Sequence, residues 1–435
     1  MRTNLLETYG RQLKVAEAYV AKNYDGKEIS ANTQLTTAVL LDNTNRFMTE
    51  SVELGGTSHG DLGAWKKFCL NLTNIAVPSL IANDLVIVHP MTSISGSVAY
   101  LEYVALSNKN GMAGKTLNGV FGLGEMSDGR VAYTTSIVVE KVEGSGFSTA
   151  EEAVVKGMVH DENGALIGNT YKCILNDNTV VYSDTIVANT VKVAYVAKTW
   201  QMDHAPQREI PTIGPVMKRI ALVAEPRRIA VKYDQITAFQ AKTDYGFSLD
   251  KQIAEQACGE LAYEIDTEIV DMLKEGAGEA LPELTWSKTL PVGVSKFEHY
   301  NGFLEVIETA KAIIYKNTGK FHPNYLVIAA DVLPVLKFVN GFTAVRNAKM
   351  NGPYKVGEID GLGVYVSPRL TDGDFFFGLN GSDMMSSAGV YAPYMAIVPT
   401  QLLGTPDGGL TQGFSTYYAK ALLNKNLLVA GKIVA

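Results

Sequence analysis

The spacing of hydrophobic positions changes along the chain and predicts different elements in different stretches. Leu13, Ala16 and Val20 recur at intervals of three and four residues, which predicts an amphipathic helix from residue 1 to about residue 25. Residues 26–64 are polar, contain several glycines and show little apolar periodicity. We therefore expect residues 26–64 to form an extended arm that lies on another surface.

β-Strand patterns dominate the next part of the chain. The apolar run Leu85–Val88 predicts a short strand, and the pattern from residue 97 to residue 200 is almost wholly β. The predicted strands are Ser97–Leu106, Val131–Val142, Val154–Val159, Tyr171–Leu175, Thr179–Ser183 and Val191–Ala197. Asp161–Gly164 and Asn176–Asn178 supply turn residues that tolerate positive φ. We predict that residues 132–200 form an inserted β module.

The clearest helix of the sequence is predicted over residues 247–275. One side carries an apolar residue at every fourth position, namely Leu249, Ile253, Ala257, Leu261, Ile265, Ile269 and Leu273. Ser248 is the predicted N-terminal cap and Gly276 the predicted end. At 1.5 Å per residue such a helix is about 40 Å long, well beyond the average globular helix.

Charge is distributed unevenly between this helix and the segment before it. The basic candidates in and near residues 205–242 are Arg208, Arg219, Arg227, Arg228 and Lys232, and the acidic candidates on the helix are Glu255, Glu260, Glu264 and Glu268. Complementary faces of this kind can hold neighbouring subunits in register. The alternative is that both sets are ordinary solvated surface charges.

After residue 295 the pattern becomes that of an α/β unit with a turn-rich C-terminal segment. The predicted elements are a helix over Phe303–Tyr315, a buried strand over Tyr325–Ala330, a helix capped by Asp331 and running to Val339, and strands at Val364–Val366 and Phe375–Phe377.

Composition narrows the class of protein. The chain has 435 residues, of which 46% are hydrophobic and 19% charged, so we expect a folded protein of two or three domains. The net charge of -7 argues against a protein that grips nucleic acid over its whole surface. Three widely spaced cysteines exclude a disulfide framework and a Cys-x-x-Cys site. No signal peptide or membrane span is predicted.

Sequence patterns that could carry catalysis are weak. Residues 56–60 match the G-x-S-x-G pattern, but the segment before them is too short and polar for the strand that a nucleophile turn requires. Gly119, Gly122 and Gly124 have the wrong spacing for dinucleotide binding and predict a loop tip. Six scattered histidines predict no zinc site. Glu264 and Glu268 lie one turn apart and form either a cation site or, more simply, a carboxylate pair.

Several segments resemble the major capsid proteins of large myovirus-type tailed bacteriophages. These segments are Ala76–Val86 (AVPSLIANDLV) with His89–Ser93 and Gly96, then Lys242–Glu275, Gly357–Val366, and Ala388–Tyr394 with Pro399 and Gly413–Tyr418 (GFSTYY). They follow one another in the order of the family and span most of the chain.

The resemblance implies an α+β fold of the Hong Kong-97 type. Its parts would be an N-terminal helix and arm over 1–64, the start of the peripheral domain and extended loop over 65–131, the inserted β module over 132–200, the return of the loop with the long "spine" helix over 201–300, an axial domain over 301–395 and a C-terminal segment over 396–435. The glycine-rich loop tip would lie over an adjacent subunit.

The resemblance also implies a structural function. The chain would assemble into hexamers, and pentamers if the vertices use it, to form an icosahedral shell around double-stranded DNA, without enzymatic activity or cofactor. Its partners would be further copies of itself, a scaffold, a portal, and vertex or decoration proteins, with packaged DNA touched only non-specifically and no membrane. The shell would assemble in the bacterial cytoplasm and belong to the virion. The alternatives are a pentameric vertex protein, an encapsulin-like compartment and a soluble α/β enzyme with an unrecognised site.

Overall fold

The computed structural model describes most of the chain in two compact units. The described residues are 2–23, 29–53, 77–78, 80–106, 116, 137–142, 170–175, 180–183, 191–199, 212–244, 246, 249–345, 352–400, 403–404 and 408–434. One unit contains Met1–Val98 and Arg219–Ala435, and the other contains Ala99–Lys218.

Helices and strands alternate in the described residues as a mixed α+β chain. The helices are α1 (Arg2–Thr8), α2 (Gly10–Asn23), α3 (Ala31–Glu53), α4 (Ala82–Leu85), α5 (Gln235–Asp244), α6 (Leu249–Ala277), α7 (Lys296–Asn301), α8 (Phe303–Thr318) and α9 (Leu333–Leu336). The strands are β1 (Ile87–Val88), β2 (Ser95–Ala105), β3 (Ile137–Val142), β4 (Thr170–Leu175), β5 (Val180–Ser183), β6 (Val191–Thr199), β7 (Ile213–Val223), β8 (Glu225–Asp234), β9 (Thr285–Ser287), β10 (Tyr325–Ala329), β11 (Thr343–Ala344), β12 (Tyr354–Ile359), β13 (Leu362–Ser367), β14 (Asp374–Gly378), β15 (Gly389–Pro399), β16 (Leu403–Gly404), β17 (Gly409–Leu422) and β18 (Val429–Val434).

The N-terminal helix is present, but the arm predicted after it is wrong for residues 31–53, which form the 23-residue helix α3. Helices α1 and α2 pack on α3, and the Tyr9 hydroxyl donates to the Asp42 carboxylate at 3.2 Å. The apolar residues that predicted the first helix, Leu13, Ala16 and Val20, are all buried.

Helix α3 lacks an apolar signature because polar residues occupy several of its buried positions. Thr36 and Thr37 are buried, and each hydroxyl donates to the carbonyl four residues earlier at 2.8 Å, which satisfies it within the helix. The Asn43 side-chain nitrogen donates to the carbonyl oxygens of Met91 and Tyr394, both at 2.8 Å. Side chains that looked like those of a solvated arm are therefore core contacts.

Five strands form the first sheet, called here the peripheral sheet. Its order is β1-β15-β17-β16. Strand β8 also pairs with β17, and all of β8 takes part in this antiparallel pairing. The prediction of a turn-rich C-terminal segment is wrong here, because β15 and β17 contain 11 and 14 residues. The glycine and proline residues of these strands are typical of turns, and for this reason the sequence did not predict the strands. Pro393 lies where the pairing of β15 with β17 is irregular, and a strand tolerates proline at such a position. Of the predicted strand Leu85–Val88, only Ile87 and Val88 pair as β1.

The long helix α6 spans Leu249–Ala277, close to the predicted 247–275. Ser248, the predicted cap, lies outside the described residues. The helix continues past Gly276 and ends at Ala277, because Gly278 adopts the left-handed φ of +74° and its N–H bonds back to the carbonyl four residues earlier at 3.2 Å.

One side of α6 serves two cores. In its first half Ala254, Ala257 and Leu261 pack with Ile397 and Phe414 of the peripheral sheet. In its second half the apolar side, represented by Ile265, Ile269 and Leu273, belongs to the largest core cluster of the described residues, which includes the second sheet and α8.

The second sheet, called here the axial sheet, has the order β11-β12-β13-β10-β14-β18-β9. All five residues of its central strand β10 are buried, as predicted for this strand. Asp331 does not cap the next helix as predicted, because Val332 occupies the cap position and the Asp331 carboxylate instead accepts a bond from the Gly373 N–H at 3.0 Å.

Two further β structures correspond to the predicted β excursion. Strands β2 and β7 pair as a two-stranded ribbon, and β3, β6, β4 and β5 form a four-stranded antiparallel sheet in that order. The predicted strand Val154–Val159 and both predicted turns lie outside the described residues, as do the G-x-S-x-G pattern and the glycine-rich loop tip. The boundaries of a separate β module therefore stay a prediction.

Replacing Asn43 by alanine is expected to lower the free energy of unfolding by about 1–3 kcal/mol, because the carbonyls of Met91 and Tyr394 both lose their donor. Denaturant unfolding of the unassembled chain measures the change. Thr49→Ala, on the exposed side of α3, is the matched control and should change stability by less than about 0.5 kcal/mol. Equal losses in both variants would contradict the anchoring role of Asn43.

Candidate subunit contacts

The residues predicted to contact neighbouring subunits fall into three groups. Arg208, Gly119, Gly122 and Gly124 lie outside the described residues. Six others have exposed side chains, Arg219 on β7, Arg228 and Lys232 on β8, and Glu255, Glu260 and Glu264 on α6. The last two, Arg227 and Glu268, meet each other within the chain.

Arg227 and Glu268 form a two-pronged ion pair between β8 and α6. The Arg227 Nε atom donates to Glu268 Oε1 at 2.9 Å, and Nη2 donates to Oε2 at 3.1 Å. The pairing is intramolecular because Arg227 lies on the same face of β8 as Ile229 and Val231, which pack on the α6 core. Both side chains are only 22% exposed, so this part of the charge pattern joins elements of one subunit.

A second cation and an aromatic ring complete this site. Lys420 Nζ lies 2.9 Å from Glu268 Oε2, and the Arg227 guanidinium lies 5.2 Å from the centre of the Tyr418 ring. Burial alone would raise the pKa of Glu268, but the bonds from Arg227 and Lys420 outweigh it and lower this pKa to about 2. The carboxylate therefore stays ionised and connects α6 to β8 and β17.

The structure does not support a cation site at Glu264 and Glu268, because the Glu268 carboxylate forms ion pairs with Arg227 and Lys420. Among the described residues, no group of three or more His, Cys, Asp or Glu side chains is arranged to hold a metal ion. None of the described helices combines the length and the apolar character that a membrane crossing requires.

Asp266 is a buried carboxylate of α6 that is not among the acidic candidates named from the sequence. It is 7% exposed, and its Oδ1 accepts a bond from the Ala82 N–H at 3.0 Å at the start of α4. Burial raises its pKa to about 7, against the opposing effect of the backbone bonds from Ala82 and Ile81. Its position next to Ile265 and three residues before Ile269, on the apolar side of α6, is the signal that could have found it.

Most of the chain matches a known protein family. The family model described as "Major capsid protein Gp23" matches residues 62–433, which is most of the chain. This chain belongs to the Gp23 family of major capsid proteins. The resemblance drawn from the sequence is confirmed. The described parts of this capsid protein mix helices and strands, as expected for an α+β fold.

Two curated relatives illustrate the family. The major capsid protein of Enterobacteria phage T6 is 21% identical over 392 residues, which cover 80% of this chain and 76% of the relative. The major capsid protein of Enterobacteria phage T4 is 22% identical over 225 residues, which cover 45% of this chain and 42% of the relative.

Solved structures with a similar course of the chain include two from phages. One, from Microbacterium phage Oxtober96, has a TM-score of 0.40 and 11% identity, covering 82% of this capsid protein and 91% of that chain. The other is described as the asymmetric unit of the bacteriophage PhiM1 mature capsid, with a TM-score of 0.36 and 10% identity, covering 66% and 92%.

Replacing Glu268 by glutamine is expected to lower the free energy of unfolding at pH 7 by about 1–3 kcal/mol. The pKa of Glu268 is lower in the folded chain than in the unfolded chain, so its ionised carboxylate stabilises the fold at neutral pH. Wild type should lose this stabilisation as pH falls from about 4.5 to about 2. The variant should lose less stability over that window in denaturant titrations. Glu264→Gln, exposed one turn away, is the control, and an equal effect there would rule out a special role for Glu268.

Replacing Asp266 by asparagine is expected to raise the melting temperature at pH 8 but not at pH 4. The pKa of Asp266 is higher in the folded chain than in the unfolded chain, so its protonated carboxyl group gives its full stabilisation below about pH 4. This stabilisation is lost as pH rises through about 7, where the buried group ionises. Asparagine keeps the acceptor for the Ala82 N–H without the buried charge. Asp271→Asn, exposed on the same helix, is the control. A lower melting temperature of Asp266→Asn at pH 8 would show that the ionised form stabilises the fold.

Proposed function

We propose that this chain is the shell subunit of a tailed-phage head and assembles into hexamers, and into pentamers where the vertices use it, to enclose double-stranded DNA in an icosahedral lattice. The match of residues 62–433 to a capsid family is the observation that carries this proposal. Its role is structural and requires no cofactor or catalytic group.

The β2–β7 ribbon supports assembly because it exposes apolar side chains. Leu101 and Tyr103 on β2 are 46% and 45% exposed, and Met217 on β7 is 58% exposed. A two-stranded ribbon is only marginally stable by itself in water. We expect a neighbouring subunit to cover these side chains, and the loop of Gly119, Gly122 and Gly124 to reach over that subunit.

The exposed charges of β7, β8 and α6 supply a second type of contact. Arg219, Arg228 and Lys232 would face the exposed Glu255, Glu260 and Glu264 of a neighbour, which would fix the register between subunits. Arg208 belongs to the same basic group in our proposal. Arg227 and Glu268 are left out of the intersubunit set because they bind each other within the chain.

Partners other than the chain itself follow from this role. A scaffold and a portal would direct closure of the shell, and vertex or decoration proteins would bind its outside. The net charge of -7 fits a shell that touches packaged DNA only non-specifically. Assembly would take place in the bacterial cytoplasm, and the product would be the capsid of the virion.

Negative-stain electron microscopy of the purified chain, with and without its scaffold, tests this proposal. We expect closed shells, tubes or six-fold rings. A monodisperse monomer or small dimer under every condition would overturn the shell function.

Reversing the charges of Glu255, Glu260 and Glu264 to lysine tests the charged contact. The triple variant should keep the wild-type melting temperature as an unassembled chain, because all three side chains are exposed, but should form no shells. Reversal of the exposed Glu279, Glu283 and Glu305 is the control for the change in net charge. Normal shells from the first variant would contradict this contact.

A further inference from the structure

An exposed apolar surface lies at the β9 edge of the axial sheet, on the turn that follows β9 and on α7. Val292 is completely exposed, and the side chains of Leu290, Val294 and Phe297 are exposed as well. Phe338, which follows α9 and adjoins α7, is half exposed. These five residues are called here the turn–helix surface. Apolar side chains that are grouped on an open surface mark a site of interaction.

Hydrogen bonds hold the turn–helix surface in one shape. The Val294 N–H donates to the Pro291 carbonyl at 3.3 Å, which closes a turn with Val292 at its apex. Ser295 and Glu298 form a reciprocal capping box at the start of α7. A surface that is already ordered loses little conformational entropy when it binds a partner.

Three exposed lysines give the turn–helix surface a basic rim. Lys288 lies before the turn, Lys296 on α7 and Lys337 after α9. Lys296 Nζ lies 5.6 Å from the centre of the Phe338 ring, so this cation is part of the apolar surface. The acidic residue of α7, Glu298, is engaged in the capping box. An acidic partner therefore complements this surface.

The β12–β13 hairpin and the part of α8 beside it carry the opposite charge. The side chains of Glu308, Glu358 and Asp360 are 66%, 57% and 46% exposed. The lysines that pair with them within the chain lie deeper, since Lys311 is 20% and Lys355 is 30% exposed. The three carboxylates, called here the acidic hairpin patch, therefore leave an excess of negative charge facing outward.

The two surfaces lie on opposite sides of the axial sheet. Strand β9 is the last strand in the order of this sheet and β12 is the second, so five strand spacings separate them by about 24 Å. One copy of the chain therefore cannot bring them together. Two different surfaces that complement each other join copies head to tail, and such contacts close into a ring when the rotation between copies fits.

We propose that the turn–helix surface of one subunit docks on the acidic hairpin patch of a second copy, and that repetition of this contact closes the ring of the hexamer. Lys288 and Lys337 would face Glu308 and Glu358, and the neighbour would cover Val292. This inference rests on the proposed shell function, because it requires copies of the chain to surround one another. It uses none of the residues of the contact between β8 and α6, so the two contacts can fail separately.

Val292→Asp tests the apolar part of the contact. Because the side chain is completely exposed, the unassembled variant should keep the wild-type melting temperature, while its yield of rings and shells in negative-stain electron microscopy should fall at least tenfold. Val15→Asp, at an exposed position on α2, is the matched control and should assemble like wild type. A wild-type yield of rings from Val292→Asp would overturn the proposal.

An exchange of charges tests the pairing. Lys288→Glu combined with Lys337→Glu should abolish rings, because two acidic surfaces would then face each other. Glu308→Lys combined with Glu358→Lys should abolish them with two basic surfaces. The variant with all four substitutions regains opposite charges and should again form rings. A folded four-substitution variant that forms none would contradict the pairing.

Two comparisons separate this contact from other effects. Lys316→Glu combined with Lys425→Glu, at exposed positions outside the turn–helix surface, controls for net charge and should assemble normally. A wild-type chain that forms no rings or shells would overturn the shell function together with this contact. A wild-type chain that assembles, with Val292→Asp and both charge-reversed variants assembling equally well, would overturn the contact alone.

Carbodiimide cross-linking of assembled particles, which joins a carboxylate directly to a neighbouring amine, locates the contact. In a mixture of isotopically labelled and unlabelled chains, we expect Lys288 or Lys337 to be joined to Glu308 or Glu358 of a chain with the other label. Links from these lysines to a scaffold protein instead would show that the turn–helix surface binds the scaffold, and the proposal would be wrong.

Discussion

The burial of one side of α6 is the constraint on which the rest of the main unit depends. A 29-residue helix presents small residues such as Ala254 and Ala257 to the peripheral sheet, and larger ones such as Ile269 and Leu273 to the axial core. The peripheral sheet therefore packs on the first half of α6 and the axial core on its second half. A change on this side of α6 would reach both cores, whereas a change on its exposed acidic side would reach neither.

Polar anchors then fix the elements that apolar packing alone would leave free to slide. Glu268 connects α6 with β8 and β17 through Arg227 and Lys420, and Asp266 connects it with the start of α4. These two carboxylates lie two positions apart yet respond oppositely to their surroundings, because Glu268 has cationic partners and Asp266 has only backbone N–H groups. The pKa of the first is lowered and that of the second is raised.

The sequence predicted those elements whose burial produces a regular spacing of apolar residues, and it missed elements whose buried positions are polar. The four-residue step from Leu249 to Leu273 predicted α6 almost to its ends, and the continuous apolar run at Tyr325 predicted β10. Helix α3 was missed because Thr36 and Asn43 fill buried positions with polar atoms that find partners only in the folded chain. The pairing of Arg227 with Glu268 within one chain was not predictable from spacing, since β8 and α6 meet there only through the tertiary fold.

The position of β18 adds a constraint on when the chain can become an assembling subunit. This strand, Val429–Val434, lies between β14 and β9 in the axial sheet, although β9 precedes it by more than 140 positions in the sequence. A nascent chain that still lacks β18 has a gap inside this sheet rather than a missing edge. The axial sheet is therefore completed only after Val429–Val434 have been synthesised, and until then β9 has no strand to pair with.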